Sequence, residues 1–242
     1  MKRWWLVPMA LGLSVHAAAV PPVPYDDRYY TEGYQVLVAA GSLGRAREVA
    51  ENALYWRPND PLWLQRLATV AGWQGDTEAA LAAWQRLAER HNNEQAWNQV
   101  LQLAPLTYND ELVLKARRRL LQRQPTNPRL IDAVAAEYEN LGRAREGLTF
   151  LEQWYQQHPS RALLRDMQRL AENTGADHRA IRYYHAYMDR YGVDPEMALL
   201  AADLAWLRGD REAAYRRLRE EASTLDYDPR LSRRLALMAS DL

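Results

Sequence analysis

Apolar side chains recur along most of this chain at helical spacing and in a fixed order of size. A small residue is followed four and seven positions later by bulky ones at Ala80, Trp84 and Leu87, at Gly147, Leu151 and Trp154, and at Ala180, Tyr184 and Tyr187. That order puts one apolar stripe on an amphipathic helix and places the small residue where a second helix can come close. Another stripe, exemplified by Leu64, Leu67, Ala68 and Ala71, precedes it. The pattern predicts helices in pairs.

Punctuation along the chain gives the pairs a period. Asx-Pro steps stand at Asp60-Pro61, Asn127-Pro128, Asp194-Pro195 and Asp228-Pro229, so the prolines are separated by 67, 67 and 34 positions. An Asp or Asn side chain caps the first free amides of a helix, and proline fits the first helical position, where no amide donor is needed. Each step therefore marks a helix start in a repeat of about 34 residues. Fourteen residues after each start a glycine, as at Gly41, Gly75, Gly142, Gly175 and Gly209, can close the first helix in the left-handed conformation. Short identities follow the period: Gly75-Asp-Thr-Glu-Ala-Ala80 matches Gly209-Asp-Arg-Glu-Ala-Ala214. Leu43-Gly-Arg-Ala-Arg-Glu48 recurs at Leu141 to Glu146 with a spacing of 98, short of three periods, which predicts a displaced turn in the first unit. Pro58, Pro125 and Pro159 follow second helices.

This order of small, bulky, turn glycine and proline resembles the tetratricopeptide repeat, and the likeness covers nearly all of the chain after its first residues. It implies an all-α, right-handed solenoid of six helix-turn-helix units beginning near residues 27, 61, 94, 128, 161 and 195, with a further helix over 229–242. The third unit departs most, with Tyr108 at the turn, Val113 and Arg117 at the small and aromatic positions, and Pro105 shortening its first helix. The last helix reads either as a cap on the final apolar face or as the end of a shortened member of a longer protein. The run from Trp56 through Gly75 to Trp84, with Tyr191-Gly-Val-Asp-Pro195 and the alanine-rich helix to Asp210, is similar to the periplasmic repeats of the Pel exopolysaccharide export family. That resemblance implies a periplasmic arm that recruits a polysaccharide-modifying enzyme and feeds an outer-membrane barrel. The alternating segments of about ten residues that build such a barrel are missing from the sequence.

Composition narrows the function. The 242 residues carry 31 Lys plus Arg against 31 Asp plus Glu, 48% apolar residues, nine Trp, fourteen Tyr and no cysteine. Zero net charge argues against nucleic acid or an anionic membrane as partner, and the absence of cysteine removes disulfides, thiol nucleophiles and thiolate metal sites. Lys2 and Arg3, the mostly apolar stretch Trp4 to Val15 and the small residues Ala17, Ala18 and Ala19 read as an export signal over 1–19, cleaved after Ala17 or Ala19. Its dozen apolar residues, interrupted by Pro8, fall short of the ~20 that span a bilayer. The expected product is periplasmic, with no membrane span, beginning with a proline-rich leader over 20–26 that stands apart from the fold.

Catalytic signals are missing. His91, His158, His178 and His185 show no metal-ligand spacing, no phosphate loop occurs, and no serine lies in a nucleophile elbow. A non-enzymatic protein without metal or cofactor is expected. His178 and His185 lie seven apart on one helix and share a face. Lys115 with Arg117, Arg118 and Arg119 reads as a solvated second-helix face, and Trp97 as core.

Binding then falls to the concave wall that first helices build in such stacks. The candidate residues are Arg129, Asp132, Glu139 and Asn140 in the fourth unit and Arg165, Arg169, Glu172 and Asn173 in the fifth, with Trp73 and Trp206 as inward-facing aromatics. The arginines suit a partner protein's acidic groups, while the carboxylates and amides suit sugar hydroxyls or a cationic polymer. Exposed tryptophans suit stacking on sugars or anchoring a partner. The leading expectation is a scaffold for a protein of an exopolysaccharide secretion or modification system. Direct carbohydrate binding and a general role in envelope assembly stand as alternatives.

Overall fold

The computed structural model describes residues 22–242. The export signal expected over 1–19, together with Val20 and Pro21, lies outside these residues. Among the described residues thirteen α-helices occur in order, joined by turns: α1 Asp27–Ala39, α2 Leu43–Trp56, α3 Pro61–Trp73, α4 Thr77–His91, α5 Glu94–Leu103, α6 Asp110–Arg123, α7 Pro128–Asn140, α8 Ala144–Gln157, α9 Arg161–Asn173, α10 Asp177–Tyr191, α11 Pro195–Leu207, α12 Arg211–Ser223 and α13 Pro229–Ser240. Each helix packs on the next in the chain, giving six pairs and a thirteenth helix stacked as a solenoid of tetratricopeptide type.

The helix starts have the cause that the sequence implies. The side chains of Asp60, Asn127, Asp194 and Asp228 each accept a hydrogen bond from backbone amides of the first turn, and proline occupies the position after each of them. Such a cap contributes about 1 kcal/mol. Gly41, Gly75, Gly142, Gly175 and Gly209 all have positive φ, and Tyr108 adopts φ +54° in the third unit. Every one of these residues lies fourteen positions after the first residue of its unit. The predicted displacement of the first turn is therefore not found. Leu43 to Glu48 lies within α2, whereas Leu141 and Gly142 form the turn after α7, so the two identical runs occupy different registers. In the third unit α5 ends at Leu103 and a 3-10 turn over Ala104–Thr107 carries the chain to Tyr108, which is 93% exposed.

Five residues past each turn comes the small position of the second helix. It is held by Ala46, Ala80, Val113, Gly147, Ala180 and Ala214, all buried. At Gly147 an added Cβ would stand 2.7 Å from Tyr138 Cβ and 2.9 Å from Cγ, so α7 and α8 approach as closely as glycine permits. Four positions later the interior receives Trp84, Leu151 or Tyr184, and in the third unit Arg117. Arg117 does not join a solvated face as expected: its guanidinium donates to the Ala133 carbonyl at 2.9 Å and to the buried Glu137 at 2.5 Å.

The described part of the leader, residues 22–26, is seated on the first units rather than apart from the fold. Val23 O accepts from the Tyr30 hydroxyl at 2.5 Å and from Trp56 Nε1 at 3.0 Å. Tyr25 stacks on Tyr30 and accepts at 2.9 Å from Nε1 of the buried Trp63. An aromatic pair and a satisfied indole hold a segment that proline keeps extended. Trp97 is core, as its spacing implied.

Curvature decides which face is available. Among consecutive first helices α7 meets α9 and α11 meets α13, while no consecutive second helices come together among the described residues. At these two places first helices converge on one side of the stack, which we take as its inner side, and second helices stay apart on the other.

The contact at Gly147 gives a sharp prediction. Alanine is the better helix former by about 1 kcal/mol, yet Gly147→Ala is expected to lower stability by about 2 kcal/mol because the methyl overpacks against Tyr138. Urea denaturation measures this, and an equally stable variant would show that Tyr138 can step aside.

Candidate functional site

The inner wall of the fourth to sixth units holds a cavity of about 620 Å³ between α7, α9 and α11. Asp132, Arg165, Arg169 and Glu172, all expected there, line it together with Asp166, Gln168, Asp194 and Glu196. Met197 and Leu200 supply an apolar edge. Helical spacing explains the grouping, since Arg165, Arg169 and Glu172 lie on one face of α9.

Arg169 organises the site. Its guanidinium donates to Asp132 at 3.2 Å, to Asp166 at 3.0 Å and to Glu139, and the Asn173 amide also donates to Glu139. One cation thus ties α7 to α9. Burial pushes the Asp166 carboxyl above its ordinary value, against the lowering effect of Arg169. The three carboxylates outweigh desolvation at Arg169 itself and hold its pKa above the ordinary value. Glu172 accepts from the Tyr184 hydroxyl, whose pKa rises through burial first and this hydrogen bond second. Asp194 is committed to capping α11. Among the lining charges, Arg165, Glu172, Asp194 and Glu196 have no oppositely charged side chain within ion-pair distance among the described residues, and of these Arg165 and Glu196 also lack the hydrogen bonds that engage Glu172 and Asp194. The lining holds five carboxylates and two guanidiniums, an excess of negative charge.

Other candidates lie elsewhere. Arg129 borders a shallow depression with Gln124, Thr126 and Asn127. Asn140, the last residue of α7, is exposed and does not line the cavity. Trp73 is 57% exposed at the end of α3, two units from the acidic cavity. Trp206 is half-buried against the core, and the guanidiniums of Arg211 and Arg234 lie 5.3 and 5.7 Å from its ring. Its π-face is already occupied, so it does not offer the open stacking surface expected of it. Asp166 and Gln168 were not anticipated as part of the site. The signal for Asp166 was present in its three-residue spacing to Arg169, which places a carboxylate beside that guanidinium.

No helix among the described residues is long and apolar enough to cross a membrane, and no group of three or more His, Cys, Asp or Glu there is arranged to hold a metal ion. No protein-family model matches the chain, and no curated protein matches it by sequence. Solved structures resemble it. A chain of the Naa15/Naa10 complex bound to HypK-THB matches 86% of this one at 14% identity and a TM-score of 0.50, and this chain spans 33% of that chain's length. PilW, a widely conserved type IV pilus biogenesis factor, matches over 86% of this chain and 97% of its own at 16% identity and a TM-score of 0.42. A tetratricopeptide repeat protein from Parabacteroides merdae matches over 88% and 84% at 18% identity and a TM-score of 0.38. At these identities the likeness concerns the fold alone.

The network around Arg169 has a pH signature. Arg169→Met leaves Asp132, Glu139 and Asp166 facing one another without their cation, which costs about 2 kcal/mol at pH 7 for partly exposed groups. Burial raises the Asp166 carboxyl and without Arg169 nothing opposes it, so folding takes up a proton there; the loss is smallest near pH 4 and grows as pH rises through the raised value. Denaturation curves of both proteins between pH 4 and 7 measure the difference, and a gap independent of pH would contradict this assignment.

Proposed function

We propose that the chain is a non-enzymatic interaction scaffold that works in the periplasm and holds a protein of an exopolysaccharide secretion system in the groove between α7, α9 and α11. The observation that carries this reading is the cavity itself. It is lined by first helices, rich in carboxylates, and bordered by the apolar side chains of Met197 and Leu200. With Arg169 saturated by three carboxylates, the groove attracts a partner segment of net positive charge, whose own acidic group can meet Arg165. This reverses the polarity that the arginines suggested in the sequence, since Arg169 is no longer available to a partner.

The export reading is supported by Lys2, Arg3 and the apolar run that follows. The polysaccharide reading is supported by the resemblance of the Trp56–Trp84 and Tyr191–Asp210 segments to Pel-type repeats.

Both parts are testable. Residues 1–26 fused to alkaline phosphatase should give periplasmic activity, and a cytoplasmic, inactive fusion would end the export reading. The immobilised chain should capture a protein from an envelope extract, and Asp132→Arg with Glu196→Arg should reduce capture at least about tenfold, two reversed charges at a partly screened surface. Gln153→Arg, which places an arginine on α8, should leave capture unchanged. Equal loss in both variants would count against the groove. Retention of an amino-sugar oligomer with no protein captured would replace this reading by direct polymer binding.

A further inference from the structure

A second cavity, of about 420 Å³, opens between α10 and α12 on the side where second helices diverge. Its floor is made of the alanine methyls of Ala201, Ala202 and Ala205 on α11. Ala213, Ala214 and Leu218 form one wall, and Ile181 with His178 and His185 forms the other. The two histidines do share a face, and His185 Nδ1 lies 3.1 Å from the buried Glu221 carboxylate.

Comparison of the units shows why the space is empty here. Ala201 is the sixth residue after the start of its first helix, where the other units have Leu67, Val100, Val134, Met167 and Leu235, and only the first unit, with Gly33, is smaller. Glu221 stands where the second helices of the preceding four units have Leu87, Leu120, Trp154 and Tyr187. Two bulky apolar groups are thus missing from one place. In the corresponding gap between α8 and α10, Tyr183 bridges the helices and donates its hydroxyl to Glu152. The equivalent residue of α12 is Arg217, which is drawn aside to Asp189 at 2.5 Å and Glu221 at 2.7 Å.

The rim adds electrostatic complementarity. Arg208 and Arg216 border the opening and have no carboxylate partner among the described residues, and a free guanidinium is attracted to the negative face of an aromatic ring. Glu220, also on the rim, can accept a hydrogen bond from a phenolic hydroxyl. We propose that this cavity is a second binding site, separate from the inner groove, which seats one aromatic side chain, of tyrosine type, supplied by a partner polypeptide.

The probe is p-cresol, the tyrosine side-chain analogue, titrated into the whole chain and followed by alanine-methyl NMR. Saturable shifts are expected at Ala201, Ala205 and Ala214 at about millimolar concentration, the range for a ligand of eight heavy atoms. 4-Methylcyclohexanol, which has the same size but no π-face, should bind about fivefold more weakly. Ala201→Leu, which installs the residue found at this place in α3 and α13, should fold normally and lose the shifts. Arg216→Glu on the rim should weaken binding about threefold while leaving the interior untouched, which keeps the test open if Ala201→Leu misfolds. Absent shifts, undiminished binding in Ala201→Leu, or equal binding of the two probes would overturn the proposal.

Discussion

The whole stack depends on close approach of two helices at one small residue per unit. A residue with positive φ reverses the chain fourteen positions into each unit, and five residues later Ala46, Ala80, Val113, Gly147, Ala180 or Ala214 lets the second helix lie against the first. Such a pair is too small to bury its apolar faces alone, so stability comes from stacking each pair on its neighbours. At Gly147 even one added methyl would stand 2.7 Å from Tyr138 Cβ. First helices meet at α7 with α9 and at α11 with α13, while second helices stay apart among the described residues, and this leaves an inner wall on one side and gaps on the other.

Departures from the regular pattern fall where polar chemistry enters. The third and fourth units meet at Arg117 and Glu137, a partly buried ion pair where the first unit has Ala50 and the others an aromatic or leucine. The fourth and fifth meet at Arg169, which binds carboxylates on both helices. The fifth and sixth meet at His185, Arg217, Asp189 and Glu221 around the alanine-floored cavity. Replacing a packing residue by a charge costs stability unless the charge is paired. Arg117 with Glu137, Arg169 with Asp132 and Glu139, and Arg217 with Asp189 pair across unit boundaries, which fixes how those neighbouring units sit.

Helix starts were legible because they follow from local chemistry: an Asx side chain and a proline decide the first turn regardless of what packs later. Turn positions were legible for the same reason, although the repeated Leu-Gly-Arg-Ala-Arg-Glu run misled, since identical letters at different offsets bury different side chains. The wall of first helices followed from periodicity, so Asp132, Arg165, Arg169 and Glu172 fell into one cavity. The pairing of Arg169 did not follow, because it depends on a rotamer and on two carboxylates from another helix. Trp206 illustrates the same limit. Its position on the helix could be counted, but the two guanidiniums over its ring come from residues 5 and 28 positions away. Tyr25 was hidden too, as composition marks a proline-rich segment as extended without saying what it rests on.

Site-specific photocrosslinking tests the working face most directly. Benzoylphenylalanine at position 165 or 196, on the inner wall, should link the chain to a captured partner, while the same group at position 153 on an outer helix should not. Equal crosslinking from position 153, or none from 165 and 196 while a partner is held, would contradict the assignment of the inner wall.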